Sequence, residues 1–216
     1  MSVAELLEAA IADIRRQGYD PAVLADESGV RTFAEILRIG SRNWDLVADA
    51  VAATPPDIEL AGRILRTKLT FENNRNPHIT SFEQDVRIAR DSRAQGHQLG
   101  SDAFLLAVGP VRSTLYRAQT AAVNAVNSAD SAASELAALP GRAVELRSRA
   151  GRARTGWGRG RLEQRAAALD SRAAALTSAS EERAGQAQRE VTRFVADVAA
   201  TVALFDDAFG IDRREP

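Results

Sequence analysis

The feature that most constrains this chain is a pair of long alanine-rich stretches, residues 101–139 and 161–209, whose apolar positions keep helical spacing. In the first, Val108, Leu115, Ala122, Ala129 and Leu136 fall seven apart, as do Val111, Ala118, Ala125, Ala132 and Leu139. In the second, Leu162, Leu169 and Leu176 repeat with Ala166 and Ala173 beside them. The rhythm is disturbed around residues 183–185 and resumes as Val191, Val195, Val198, Val202 and Phe205. A seven-residue apolar repeat is the mark of helices packing along a shared seam. Alanine at the seam favours close approach of two backbones, because a small side chain buries little area of its own. The expectation is an all-α protein whose C-terminal half is a long, coiled-coil-like antiparallel hairpin, with arms of roughly 50–70 Å at 1.5 Å per residue.

Between the stretches lies the most distinctive segment, residues 140–160, which is rich in arginine and glycine and opens with Pro140-Gly141. Arg142, Arg147, Arg149, Arg152, Arg154, Arg159 and Arg161 stand against Glu145 alone, a local charge of +6 in a chain whose net charge is −1. The remainder therefore carries −7, so a basic patch sits on an acidic body. Read as a flexible connection, this segment offers forked guanidinium donors suited to phosphate, and Trp157 offers a face for base stacking. An acidic protein partner would suit it too, and so would a plain solvated loop. Gly156-Trp157-Gly158 does not satisfy the Trp-x-Gly turn of small secreted helical hairpins, because Arg159 stands where that motif has its glycine.

The first half reads as a small helical bundle, residues 1–95, followed by a break at 96–100. Ser2 and Glu5 form a capping box for a helix over about 3–17. Asp20-Pro21 opens a short helix to about residue 27, ended by Ser28-Gly29. Thr32 with Glu35 starts another, closed by Gly40. Ser41 or Asn43 caps a further one, with Trp44, Val47, Ala48 and Val51 on its face. Asp57 caps a helix through Leu65. Beyond it, Leu65, Thr67, Leu69 and Phe71 alternate as in a strand, but with no partner strand in view the expectation is a helix to about Phe71. Residues 72–77 read as a loop, and Thr80 or Ser81 caps a helix to about Ala94. Ser101 caps the first long stretch, with Gly109-Pro110 marking a kink or a later start. Phe209-Gly210 closes the second, leaving 210–216 as a tail.

Residues 21–39 partly resemble a helix-turn-helix, in which an alanine precedes a turn glycine by four residues and an apolar residue follows it. Ala25, Gly29 and Val30 fit that pattern. Six residues after the glycine, where the motif wants a buried aliphatic, stands Glu35, nine after it stands Arg38, and the presumed recognition helix lacks a run of base-reading side chains.

Reaction chemistry has little to rest on. The two histidines, His78 and His97, fall in expected loops, there is no cysteine, and no acid cluster has metal-ligand spacing. Asp206-Asp207 and Glu181-Glu182 are adjacent pairs, so their members point to different faces of a helix. No phosphate-cradling glycine loop follows a strand. The expectation is therefore a protein without catalytic residues, cofactor or metal. The N-terminus has no signal-like basic region, and the longest apolar run is far short of the roughly 20 residues a membrane span needs. The chain reads as cytoplasmic, or as a subunit of a larger particle, with no membrane partner.

These features lead to one leading expectation: a structural or adaptor protein that assembles with itself or into a larger complex through helical faces. Leu115, Leu136, Leu162, Leu169, Leu176, Val191, Val195, Val198 and Val202 would supply the packing. The competing expectation is a nucleic-acid-associated protein that uses the arginines of 142–161 and the partial helix-turn-helix.

Overall fold

The computed structural model describes residues 2–72, 75–97 and 99–211. Among them there are seven helices and no strand: α1 (Val3–Arg16), α2 (Pro21–Leu24), α3 (Ser28–Ala52), α4 (Ile58–Thr67), α5 (Pro77–Ala94), α6 (Gly100–Gly151) and α7 (Gly156–Phe209). The fold is all-α, with a bundle of shorter helices set against a long helical hairpin.

Local chemistry fixes several of the ends. The Ser2 hydroxyl accepts from the Glu5 N–H at 3.2 Å and the Glu5 carboxylate accepts from the Ser2 N–H at 2.6 Å, the expected capping box. Asp20 caps α2 through the Ala22 N–H, with Pro21 at the first helical position. Gly210 closes α7 at φ +62, a left-handed conformation that glycine adopts without a Cβ penalty.

Elsewhere the structure departs from the sequence reading, and packing is the reason in most cases. The two helices expected over 32–40 and from 41 or 43 are one helix, α3. Gly40 does not stop it, since this glycine lies directly beneath Phe71: a Cβ there would fall 2.3 Å from the ring's Cζ. A glycine inside a helix costs only about 1 kcal/mol relative to alanine, less than the burial of a phenylalanine returns. Neither Thr32 nor Ser41 is an N-cap, and Asn43 instead donates its side-chain amide to the Leu69 carbonyl at 2.6 Å. Helix α4 ends at Thr67 rather than near Phe71. Lys68 is extended, and Phe71 reaches the core from the following non-helical segment.

Neither Thr80 nor Ser81 is the cap of helix α5, which begins at Pro77, four residues before a start capped by Thr80, because Asn76 caps it by accepting from the His78 N–H at 3.1 Å. Asn76 is itself buried and donates to the Thr70 carbonyl at 3.3 Å. Asn73 and Asn74 of the expected loop, Gln98 of the expected break and residues 212–216 of the expected tail lie outside the described residues. Helix α6 starts at Gly100, where the Asp102 carboxylate accepts from the Leu99 N–H at 3.1 Å, and Ser101 is not its cap. It then runs unbroken through Pro110 and Pro140, both of which face solvent.

One core joins the bundle to the lower part of the hairpin. It includes α6 residues as far as Ala129 and α7 residues from Ala187 onward. All seven phenylalanines of the chain are in it. Phe33 of α3 meets Phe82 of α5 at 5.3 Å and Phe205 of α7 at 5.4 Å between ring centroids. Phe104 of α6 meets Phe209 edge-on at 5.4 Å. Trp44 stands edge-on to Phe194 at 4.6 Å and is wholly buried, as an anchor of the core. Among the described residues no helix is long and apolar enough to cross a membrane.

Candidate functional site

Helix α6 has 52 residues and α7 has 54, against 25 in α3. At 1.5 Å per residue the long pair runs to about 80 Å, roughly twice the length of α3, so its outer half continues past the bundle. Burial follows that geometry. From Ala132 to Ala184 the buried residues are Ala132, Leu139, Ala143, Ala150 and Ala166, and none belongs to the main core. This outer half is a two-helix arm.

The basic segment is its tip, and the structure corrects its expected conformation. It is not a 21-residue connection. Helix α6 continues to Gly151 and α7 begins at Gly156, so only Arg152, Ala153, Arg154 and Thr155 join them. The signal for this was present: both seven-residue ladders of α6 continue through Ala143 and Ala150, and through Leu146, beyond Pro140. Ala143 and Ala150 are buried and Leu146 is half-buried. Thr155 caps α7 by accepting from the Gly158 N–H at 3.2 Å. Gly158 is needed there, since a Cβ would lie 2.9 Å from the threonine hydroxyl.

All seven arginines are exposed, yet they are not equivalent. Arg147 pairs with Asp170 across the hairpin, Arg149 pairs with Glu145 one turn back, and Arg152 donates to the Ser148 hydroxyl at 3.2 Å. Arg161 lies 5.5 Å from the Trp157 ring centroid, a cation-π contact on an indole that is 76% exposed. Arg142, Arg154 and Arg159 have no ion pair among the described residues. Trp157, Arg154 and Arg159 are thus exposed at or next to the turn, and Arg142 is exposed nine residues before the end of α6.

The expected packing residues divide by position. Leu115, Val191 and Val198 are buried in the chain's own core, and Val195 and Val202 pack at its margin. Leu136, Leu162, Leu169 and Leu176, on the arm, are only half-buried. The arm is cross-linked by Arg172 to Glu135 as well as by Arg147 to Asp170, which fixes an antiparallel register.

The partial helix-turn-helix does not form. Its presumed turn glycine, Gly29, is the second residue of α3 and packs against Leu105, where a Cβ would come within 3.0 Å of Cδ2. Helix α2 is a single turn. Arg31 pairs with Asp26 at 2.7 Å and Arg38 with Glu35 at 3.7 Å, so the charges on this face are engaged within the chain.

Among the described residues no three His, Cys, Asp or Glu side chains gather where a metal ion would sit. His78 lies in the first turn of α5, and the His97 N–H donates to the Ser92 carbonyl at 2.9 Å. Glu181, Glu182 and Asp207 are exposed on α7. Asp45, on α3, has its carboxyl pushed above the ordinary aspartate range, first by desolvation and then by Asp49 one turn away. Sequence reasoning missed Arg112, a buried arginine of α6 that faces Glu83 of α5 at 2.9 Å. It sits between the buried seam residues Val111 and Leu115, where its charge gives no periodic signal. Compared with protein families, curated proteins and solved structures, the chain matches none.

Proposed function

We propose that this is a non-enzymatic structural or adaptor protein that assembles through its arm, with a second copy of the same chain as the partner. The observation carrying this reading is the half-burial of Leu136, Leu162, Leu169 and Leu176 along a two-helix arm. A pair of helices leaves part of each seam wet, and two such pairs laid together make a four-helix layer that covers it. Charge supports side-by-side packing in opposite directions, in which the basic tip of one arm approaches the lower arm of the other, where the exposed Glu181 and Glu182 lie. Absolute mass by light scattering tests the reading. The wild-type chain is expected as a defined multimer, and Leu169→Glu with Leu176→Glu is expected to reduce it to monomer with helicity retained. A wild-type monomer at working concentration sinks the proposal.

A second reading takes nucleic acid as the partner of the tip, favoured by the exposure of Trp157 and of Arg142, Arg154 and Arg159 in the same basic segment. Binding would then fall steeply with salt and on neutralising Arg142, Arg154 and Arg159 together. Retention of duplex and single strand by that triple variant at unchanged salt dependence would remove this reading.

A further inference from the structure

Arg112 is the one buried cation described in the bundle, and its partners do not account for it. Its side chain is 5% exposed. One terminal nitrogen, Nη1, meets Glu83 at 2.9 Å, while Nε and Nη2 are buried and have no hydrogen-bond partner. The Tyr116 ring lies 5.9 Å from its guanidinium carbon, a contact that leaves those two N–H positions unmet. Burying a guanidinium with donors unsatisfied is costly, and natural interiors rarely leave such donors without water or an ion. Desolvation accordingly lowers the Arg112 pKa, with Glu83 opposing that shift.

The same arginine lines a groove of about 240 Å³ between α5 and α6, together with Phe82, Glu83, Val86, Arg87, Arg90 and Ser113. Arg87 and Arg90 are exposed, have no ion pair among the described residues and stand three apart on α5, so both reach the same rim. Three guanidiniums face one carboxylate, an excess of two positive charges around a space sized for a small ligand. Phe82 and Val86 form its apolar floor. Gly109 stands on the α6 wall facing Val86, where an added Cβ would make an ordinary van der Waals contact at 3.5 Å.

We infer that this groove binds a tetrahedral oxyanion, phosphate or a small phosphomonoester, with Arg112 as the inner donor and Arg87 and Arg90 as the outer clamp. Guanidinium N–H pairs match two phosphate oxygens at once, which a point charge cannot do. The Ser113 hydroxyl, which donates to the Gly109 carbonyl at 3.2 Å, is placed to turn toward the ligand. Nε and Nη2 are buried in this structure, so binding requires a side-chain rearrangement that opens them to the groove. The site is far from the arm and independent of how the arm is used.

The test uses the full-length chain and inorganic phosphate or methyl phosphate, titrated against sodium chloride at equal ionic strength. The readouts are thermal midpoint and the side-chain Nε–H resonance of Arg112. Saturable stabilisation with a shift of that resonance is expected for wild type and for the tip variant with Arg142, Arg154 and Arg159 replaced by Gln. Arg87→Gln with Arg90→Gln, on an exposed rim and so harmless to folding, is expected to weaken binding by about tenfold or more. A preference for methyl phosphate identifies a monoester site, and a preference for inorganic phosphate a free-ion site. No difference from chloride, or equal binding by the rim variant, overturns the inference.

Discussion

The two halves of the hairpin share a helix pair and a repeat but are held together differently. In the lower half, Phe104, Phe194, Phe205 and Phe209 lock α6 and α7 into a core shared with α3 and α5. In the outer half the same pair relies on Ala132, Leu139, Ala143, Ala150 and Ala166, aided by exposed cross-helix ion pairs. One repeat therefore yields a rigid foundation where other helices cover it and a thin, wet arm where none does. Continuity of secondary structure is not continuity of stability.

The sharpest way to break the comparison is to truncate one side chain in each half. Phe194→Ala removes a ring packed on both Trp44 and Phe71 and is expected to cost about 3–5 kcal/mol. Leu169→Ala, half-buried on the arm, is expected to cost about 1 kcal/mol in the monomer. Chemical denaturation of both variants checks this, and equal losses would erase the distinction. Next in size is Gly40→Ala, which drives a methyl into Phe71 and is expected to cost about 1–3 kcal/mol despite alanine's better helix propensity. The smallest effect belongs to the arm's ion pairs. Replacing Arg147 and Arg172 by Gln is expected to change stability by about 0.5 kcal/mol or less per pair, since both pairs are solvated.

That contrast also explains what the sequence disclosed. The Ser2–Glu5 capping box and the seven-residue ladders act through neighbours a few residues apart, so α1, the long helices outside 140–160 and the closing Gly210 were legible, whereas the boxes expected at Thr32 and Thr80 lie inside α3 and α5. Glycine and proline misled wherever a distant contact decided their role. Gly40 looked like a stop until Phe71, 31 residues away, required its missing Cβ. Gly29 looked like a turn, but it lies in the first turn of α3 against Leu105, 76 residues away. At residues 140–160 the error lay in weighting composition above periodicity: Pro140 and the glycines drew attention from Ala143 and Ala150, which kept the rhythm. The tip's arginines were legible as a charge cluster, although only the folded hairpin separates those engaged with Glu145 or Asp170 from those facing outward. Arg112 and its groove were not legible, because two helices must first be brought together to make them.

The four-residue turn at Arg152–Thr155 has a consequence for how such a chain can vary. With no slack at the tip, a deletion in one long helix shifts every rung of the other out of step. The arm can therefore be resized only by matched changes, seven residues from α6 and seven from α7, each pair altering its reach by about 10 Å. The hairpin behaves as a ruler graduated in heptads, and its length sets the distance between the bundle and whatever the tip meets.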